Sequence, residues 1–287
     1  MLGHIFVRSG APSKRAAASR WFEFLECRRF LSADVPVPPV PAPPEDTQEP
    51  TVEAVFVNST GWTPQFRAFL EAENDGSAQY GFEADLGEFT GGENPNSHIL
   101  PWIGINQVSF QFDEDVSVQQ DDLVITGTNQ TAYGVTAFTY DRTTFVATWT
   151  LDQPINADVL DLRLDGTSED RITDTAGNPL RGNCIDQVDN SGEGSSEAAD
   201  QGRDFCQGLA VLPGDVTRDG RVNALDLAAV RRRLGTNTAS PNMGRAQYDP
   251  LADVTGDGRI NALDLAAVRQ RFGTRLPETN DDNSGPG

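Results

Sequence analysis

The chain has 287 residues, with 43 Asp and Glu against 22 Lys and Arg, for a net charge of −21. A surface of that sign repels nucleic-acid phosphates and anionic membranes, which excludes both as main partners. No apolar run of about 18 residues occurs, so no transmembrane helix is expected. The only histidines, His4 and His98, stand far apart and leave little material for imidazole-based catalysis.

Residues 1–34 are basic, unlike the rest, with Arg8, Lys14, Arg15, Arg20, Arg28 and Arg29 among Trp21, Phe22, Phe24 and Phe30. Their apolar stretch is too short for a standard secretory signal. The run Phe22-Glu23-Phe24-Leu25-Glu26-Cys27-Arg28-Arg29-Phe30-Leu31 resembles the LEPR-XLL segment of exported planctomycete proteins, departing from it at Cys27 and Phe30. The resemblance implies an extracellular or cell-surface protein. Residues 35–50 read as a linker: seven of the 16 are proline, which favours an extended, semi-rigid spacer.

Residues 51–182 read as β structure. Val108, Phe110 and Phe112 alternate with polar neighbours, as do Ala147, Trp149 and Leu151, and Leu160, Leu162 and Leu164. Period two with one polar face marks half-buried antiparallel strands. The stretch Thr51 to Pro101, with Val52 to Val57 and Phe66 to Leu70, is expected to add further strands or a separate small unit. Turn residues separate the runs at Gly127-Thr128-Asn129, Tyr140-Asp141-Arg142 and Asp165-Gly166. Short strands at such spacing suggest a sandwich. The succession of Val108, Leu123, Thr144 and Ile172 segments resembles a bacterial Ig-like domain over residues 103–182. Two carboxylates suffice for glycoside hydrolysis, but Asp113, Glu114 and Asp115 lie in one run and read as a solvated turn. Trp62 and Trp102 have the chemistry to stack on sugar rings, yet as isolated aromatics among strand residues they read first as core. The β region is therefore expected to be non-catalytic.

Residues 183–209, rich in Gly, Ser, Asp and Glu, read as a connector. Asp186, Asp189, Asn190 and Glu193 offer a further oxygen cluster there, with no repeat to support it. Cys184 and Cys206 flank the connector and are expected to pair if the protein reaches an oxidising compartment, leaving Cys27 odd.

The most informative stretch is said twice. Residues 214–235, GDVTRDGRVNALDLAAVRRRLG, recur as ADVTGDGRINALDLAAVRQRFG at 252–273, with 17 of 22 positions identical. Calcium is a hard cation that takes six to eight oxygens, and a 12-residue loop supplies them from positions 1, 3, 5, 7, 9 and 12. The first loop offers Asp215, Thr217, Asp219, the Arg221 carbonyl, Asn223 and Asp226. The second offers Asp253, Thr255, Asp257, the Arg259 carbonyl, Asn261 and Asp264. Gly220 and Gly258 stand at position 6, where the chain turns sharply. Val222 and Ile260, at position 8, are placed to join the loops through a small core. No thiolate or imidazole is present, which disfavours zinc and copper. Leu227, Val230 and Leu234, then Leu265, Val268 and Phe272, follow at helical spacing, each series closed by a glycine.

Loop then helix, twice over, resembles the type I dockerin module, whose pattern is D-x-N-x-D-G-x-I-N-x-x-D-L. Thr217 and Thr255 depart from it at position 3. The resemblance implies two calcium ions and docking to a cohesin-like domain on a scaffold or cell surface. It also implies contacts from Ala224, Leu225, Arg231 and Arg232 in one repeat and Ala262, Leu263, Arg269 and Gln270 in the other. The expected architecture is thus multidomain: an all-β Ig-like sandwich, then a small all-α dockerin-like module over residues 210–276, then a disordered tail. Two other functions stay open: an accessory component that binds or hydrolyses polysaccharide, and a calcium module that only stabilises the fold.

Overall fold

The computed structural model describes residues 46–86, 99–184 and 203–277. The export-like segment, the linker up to residue 45, the middle of the connector with Asp186, Asp189, Asn190 and Glu193, and the tail beyond 277 lie outside them. In chain order the elements are β1 (Val52–Asn58), α1 (Pro64–Glu73), β2 (Gly76–Ser77), β3 (Gly81–Ala84), β4 (Ile99–Leu100), β5 (Gln107–Phe112) and β6 (Val116–Ser117). There follow β7 (Leu123–Gly127), β8 (Val135–Asp141), β9 (Val146–Leu151), β10 (Asp158–Leu164), β11 (Thr173–Asp174) and β12 (Phe205–Val211). The C-terminal part adds α2 (Ala224–Arg232), β13 (Asn242–Met243), β14 (Ala246–Gln247) and α3 (Ala262–Gln270).

Two sheets build the β body. A six-stranded antiparallel sheet runs β2-β3-β1-β5-β9-β8, and a four-stranded sheet runs β4-β12-β10-β7. The alternation seen in the sequence decides which residues turn inward. Val108, Phe110 and Phe112 of β5 are buried, as are Leu160, Leu162 and Leu164 of β10, while Asp161 and Arg163 face out. Ser109 is also buried and bonds to the Thr148 hydroxyl across the β5–β9 pair, 2.8 Å away. Phe110 meets Trp149 of β9 edge-on at 5.7 Å and Phe205 of β12 at 6.0 Å, which ties the two sheets together. Such edge-to-face pairs contribute about 0.5–1.5 kcal/mol beyond the area they bury.

Two expectations need correction. Phe66 to Leu70 forms no strand; it lies inside helix α1. Phe66, Phe69 and Leu70 stand at i, i+3 and i+4, the helical period, and the flanking residues supply both caps. The Thr63 hydroxyl accepts from the Phe66 amide, Pro64 opens the helix, and Asn74 closes it in the left-handed region at φ 61°.

The connector, too, ends earlier than expected. Phe205 to Val211 forms β12, which pairs with β10 along seven residues and with β4 in parallel. Phe205, Leu209, Ala210 and Val211 are buried. The polar composition that suggested a connector stops before Asp204, whose buried carboxylate accepts from the Gly166 amide and the Thr167 hydroxyl. Cys184 and Cys206 are joined as a disulfide, Cα atoms 5.2 Å apart. The sheet thus runs almost directly into the first repeat: the Leu212 amide bonds to the Leu100 carbonyl and the Gly214 amide to the Pro101 carbonyl.

Candidate metal centre

The first loop follows β12 within a few residues and folds around its own carboxylates. Asp215 takes the Asp219 amide on one oxygen, 3.1 Å, and the Gly220 amide on the other, 2.8 Å. Asp226 takes the Thr217 amide and hydroxyl on Oδ1, at 2.9 and 2.8 Å, and the Asn223 amide on Oδ2 at 2.7 Å. The second loop repeats the pattern. Asp253 receives the Asp257 and Gly258 amides, and Asp264 receives Thr255 and Asn261. Gly220 and Gly258 adopt φ of 83° and 84°, the left-handed turn that position 6 demands.

Asp215, Asp226, Asp253 and Asp264 are each 0% exposed. Among the described residues none has a cationic side chain as a hydrogen-bond partner. Burial pushes Asp215 up to about 6 and Asp253 up to about 7, with the neighbouring loop carboxylates adding to the rise. Asp264 rises as well, again chiefly by burial. Burying several carboxylates together is costly unless a cation compensates them. In the first loop, Asp215, Asp219 and Asp226 bring oxygens within 4.8 Å of one another; the second loop does not gather its carboxylates as closely. The donor set is all oxygen, from carboxylate, hydroxyl and carbonyl groups, and fits a hard cation such as calcium.

Asn223 and Asn261 are turned differently from the ligand role expected of them. Each directs its side-chain oxygen to the amide two residues on, Leu225 or Leu263, at 2.7 Å, and so caps its helix. Position 9 of such loops often reaches the ion through water, which agrees with a capping role. The Arg221 and Arg259 carbonyls accept from these same asparagine amides, at 3.3 and 3.4 Å.

Val222 and Ile260 are fully buried, and each is tied to the chain beyond the other repeat's helix. Val222 pairs with Gly273 and Thr274, after α3; Ile260 pairs with Gly235 and Thr236, after α2. The crossed pairing relates the repeats by an approximate twofold. It leaves the same face of each exposed: Ala224, Leu225, Arg231 and Arg232, and Ala262, Leu263, Arg269 and Gln270. Leu225 and Leu263 are each 61% exposed.

The other sequence candidates are taken up structurally. Asp113 accepts from the Thr51 amide and hydroxyl, and Asp115 from the Tyr140 hydroxyl and Arg142. Trp62 and Trp102 are buried at 3% and 0%, which removes both from any sugar-stacking surface. A group that the sequence did not signal, Asp46, Glu114 and Asp174, also brings carboxylate oxygens within 4.8 Å. Asp174 there is already engaged by the Ala176 and Asn178 amides and the Asn178 side chain. Tyr248 was likewise not foreseen: its hydroxyl donates to Asp253 at 2.7 Å. Nothing in the repeat pattern marks it, because the first repeat has no counterpart.

Residues 213–273 match the family model described as the Dockerin type I domain. The module is therefore supported as a type I dockerin domain, a class that in general binds calcium and docks on cohesin domains. No curated protein matches the chain. Among solved structures the chain is similar to "Crystal structure of the S-layer protein rSbsC(31-844)", at 14% identity over 47% of this chain and 12% of that one, TM-score 0.26. A second, "Structure of surface layer protein SbsC, domains 1-6", shares 11% identity over 56% of this chain and 14% of that one, also at TM-score 0.26. Likeness at that score carries no argument for the β body. No helix among the described residues is long and apolar enough to cross a membrane.

Proposed function

We propose that this is a secreted or cell-surface, non-catalytic modular protein, whose C-terminal module binds two calcium ions and docks on a cohesin-type domain. The β body, read as an Ig-like sandwich elaborated by α1, is the part so anchored. The observation that carries the reading is the pair Leu225 and Leu263, each 61% exposed at equivalent positions of two calcium-type repeats. An exposed leucine in the first turn of each helix, with arginine in the last turn, suits an interface whose partner supplies apolar surface and carboxylates. A purified cohesin domain should retain the chain in calcium and release it in chelator. Retention that ignores chelator, or none in calcium, would refute docking through this module.

A second reading, in which the repeats only stabilise the fold, is favoured by the backbone bonds that join the second loop to the β body, from the Thr63 amide to the Gly256 carbonyl and from the Ile103 amide to the Val254 carbonyl. It predicts chelator-sensitive stability without cohesin binding. A glycan-binding role would need a site other than the two buried tryptophans.

A further inference from the structure

The repeats are nearly identical, yet the β body treats them differently. At loop position 4 the first repeat has Arg218, at φ 58°, and the second has Gly256, at φ 66°. Trp62 lies directly on Gly256; a β-carbon there would overlap the indole ring. The Thr63 amide, at the cap of α1, donates to the Gly256 carbonyl at 3.0 Å, and the Ile103 amide donates to the Val254 carbonyl at 2.9 Å. Trp102 Nε1 donates to the Pro250 carbonyl at 3.0 Å. Phe69 of α1 meets Tyr248 edge-on at 4.8 Å, and Tyr248 in turn holds Asp253, the position-1 carboxylate.

Two neighbouring loop residues, Val254 and Gly256, thus bond through their backbone to the body, and one ligand side chain is steadied by a ring that the body packs. The first loop has neither arrangement. Its Arg218 reaches over a cavity of about 430 Å³ lined by Asp75, Asp85, Gln207 and Asp249, among others. An arginine at position 256 would collide with Trp62, so the repeats cannot exchange places.

We propose that Trp62, Thr63, Phe69 and Tyr248 are positioning residues for the second calcium loop, and that filling of this loop and seating of the module on the β body form one linked equilibrium. The first loop, which meets the body at Gly214 and Arg218 instead, binds its ion without help from these four residues. This rests on calcium occupying both loops. Outer partners that orient metal ligands change affinity by about 10- to 100-fold when removed, and any ion that binds only the seated form strengthens the seating by the same factor.

The test is calorimetric titration of the chelator-stripped full chain with calcium. Asp226→Asn and Asp264→Asn identify which site is which. Tyr248→Phe keeps the ring against Phe69 and loses only the hydroxyl; Phe69→Ala loses the ring contact. Both should weaken the site that Asp264→Asn removes, by about tenfold or more, and leave the other within error. In the wild type and in Asp226→Asn, the Trp62 indole resonance should shift as the second loop fills; in Asp264→Asn it should stay fixed. Equal weakening of both sites, no weakening, or a Trp62 signal indifferent to calcium would overturn the linkage. Absence of any calcium binding by the wild type would instead overturn the underlying calcium reading.

Discussion

Replacing Asp226 with asparagine separates what the carboxylate does for the fold from what it does for the ion. Asp226 accepts three hydrogen bonds, from the Thr217 amide and hydroxyl and from the Asn223 amide, spread over both oxygens. An asparagine has one acceptor oxygen, so its amide nitrogen must face at least one of these donors. Leaving a buried donor unpaired costs about 1–3 kcal/mol. That cost applies with or without calcium. The variant also loses an anionic ligand, and with it the stabilisation that the ion confers, about 2.7 kcal/mol at a free concentration 100 times the dissociation constant. The expected loss is therefore about 1–3 kcal/mol in chelator and about 4–6 kcal/mol in saturating calcium. Denaturant unfolding followed by far-ultraviolet circular dichroism, in both conditions, measures the two. Equal destabilisation in chelator and in calcium would show that Asp226 acts through its hydrogen bonds alone.

The Asp122 carboxyl is pushed up from its ordinary value of 3.8 to about 6, chiefly by burial. Between these values the folded chain binds more protons than the unfolded one, so this group's stabilising contribution is present below pH 3.8 and lost as pH rises through about 6. Asp122→Asn should accordingly gain stability relative to wild type between pH 4 and pH 7; a constant difference in denaturant midpoint would contradict this. Reduction of the Cys184–Cys206 bridge, which closes a loop of 22 residues, should cost about 3 kcal/mol in the chain-entropy treatment, read as a lower denaturant midpoint of the β body in reductant. For the docking face, changing Leu225, Arg231 and Arg232 together should leave cohesin binding largely intact. So should changing Leu263, Arg269 and Gln270, while all six changes abolish it. Complete loss from one triple with the fold preserved would mean that only one face docks.

The repeated oxygen-rich loops were legible because coordination chemistry dictates spacing: oxygens at alternate positions and a glycine at the turn leave a mark in any single sequence. The inward faces of β5 and β10 were legible for the same kind of reason, since alternation follows from the pleat. Helix α1 was misread although its signals were present. Three apolar residues at i, i+3 and i+4 between a Thr-Pro start and an Asn-Asp end specify a helix better than a strand. Strand β12 was hidden because composition was averaged across a window in which only the first part is polar. The joint with the β body was not legible at all. Thr63 and Gly256 are 193 residues apart, and no local pattern announces that an indole will lie on a glycine. The one available hint was the break in the repeat at position 4, Arg218 against Gly256, which acquires meaning only once Trp62 is seen above it.

The crossed pairing of the repeats also sets an order of events during synthesis. Val222 finds its backbone partners at Gly273 and Thr274, and the Leu276 amide bonds to the Gly220 carbonyl. The first loop therefore cannot close its outer edge until some 50 further residues have been made, which takes about 3–10 s at ordinary translation rates. Through that interval its carboxylates are on hand but its hydrophobic floor is not. The loop that leaves the ribosome first is thus completed last, and the final turn of the module acts as the latch for its beginning.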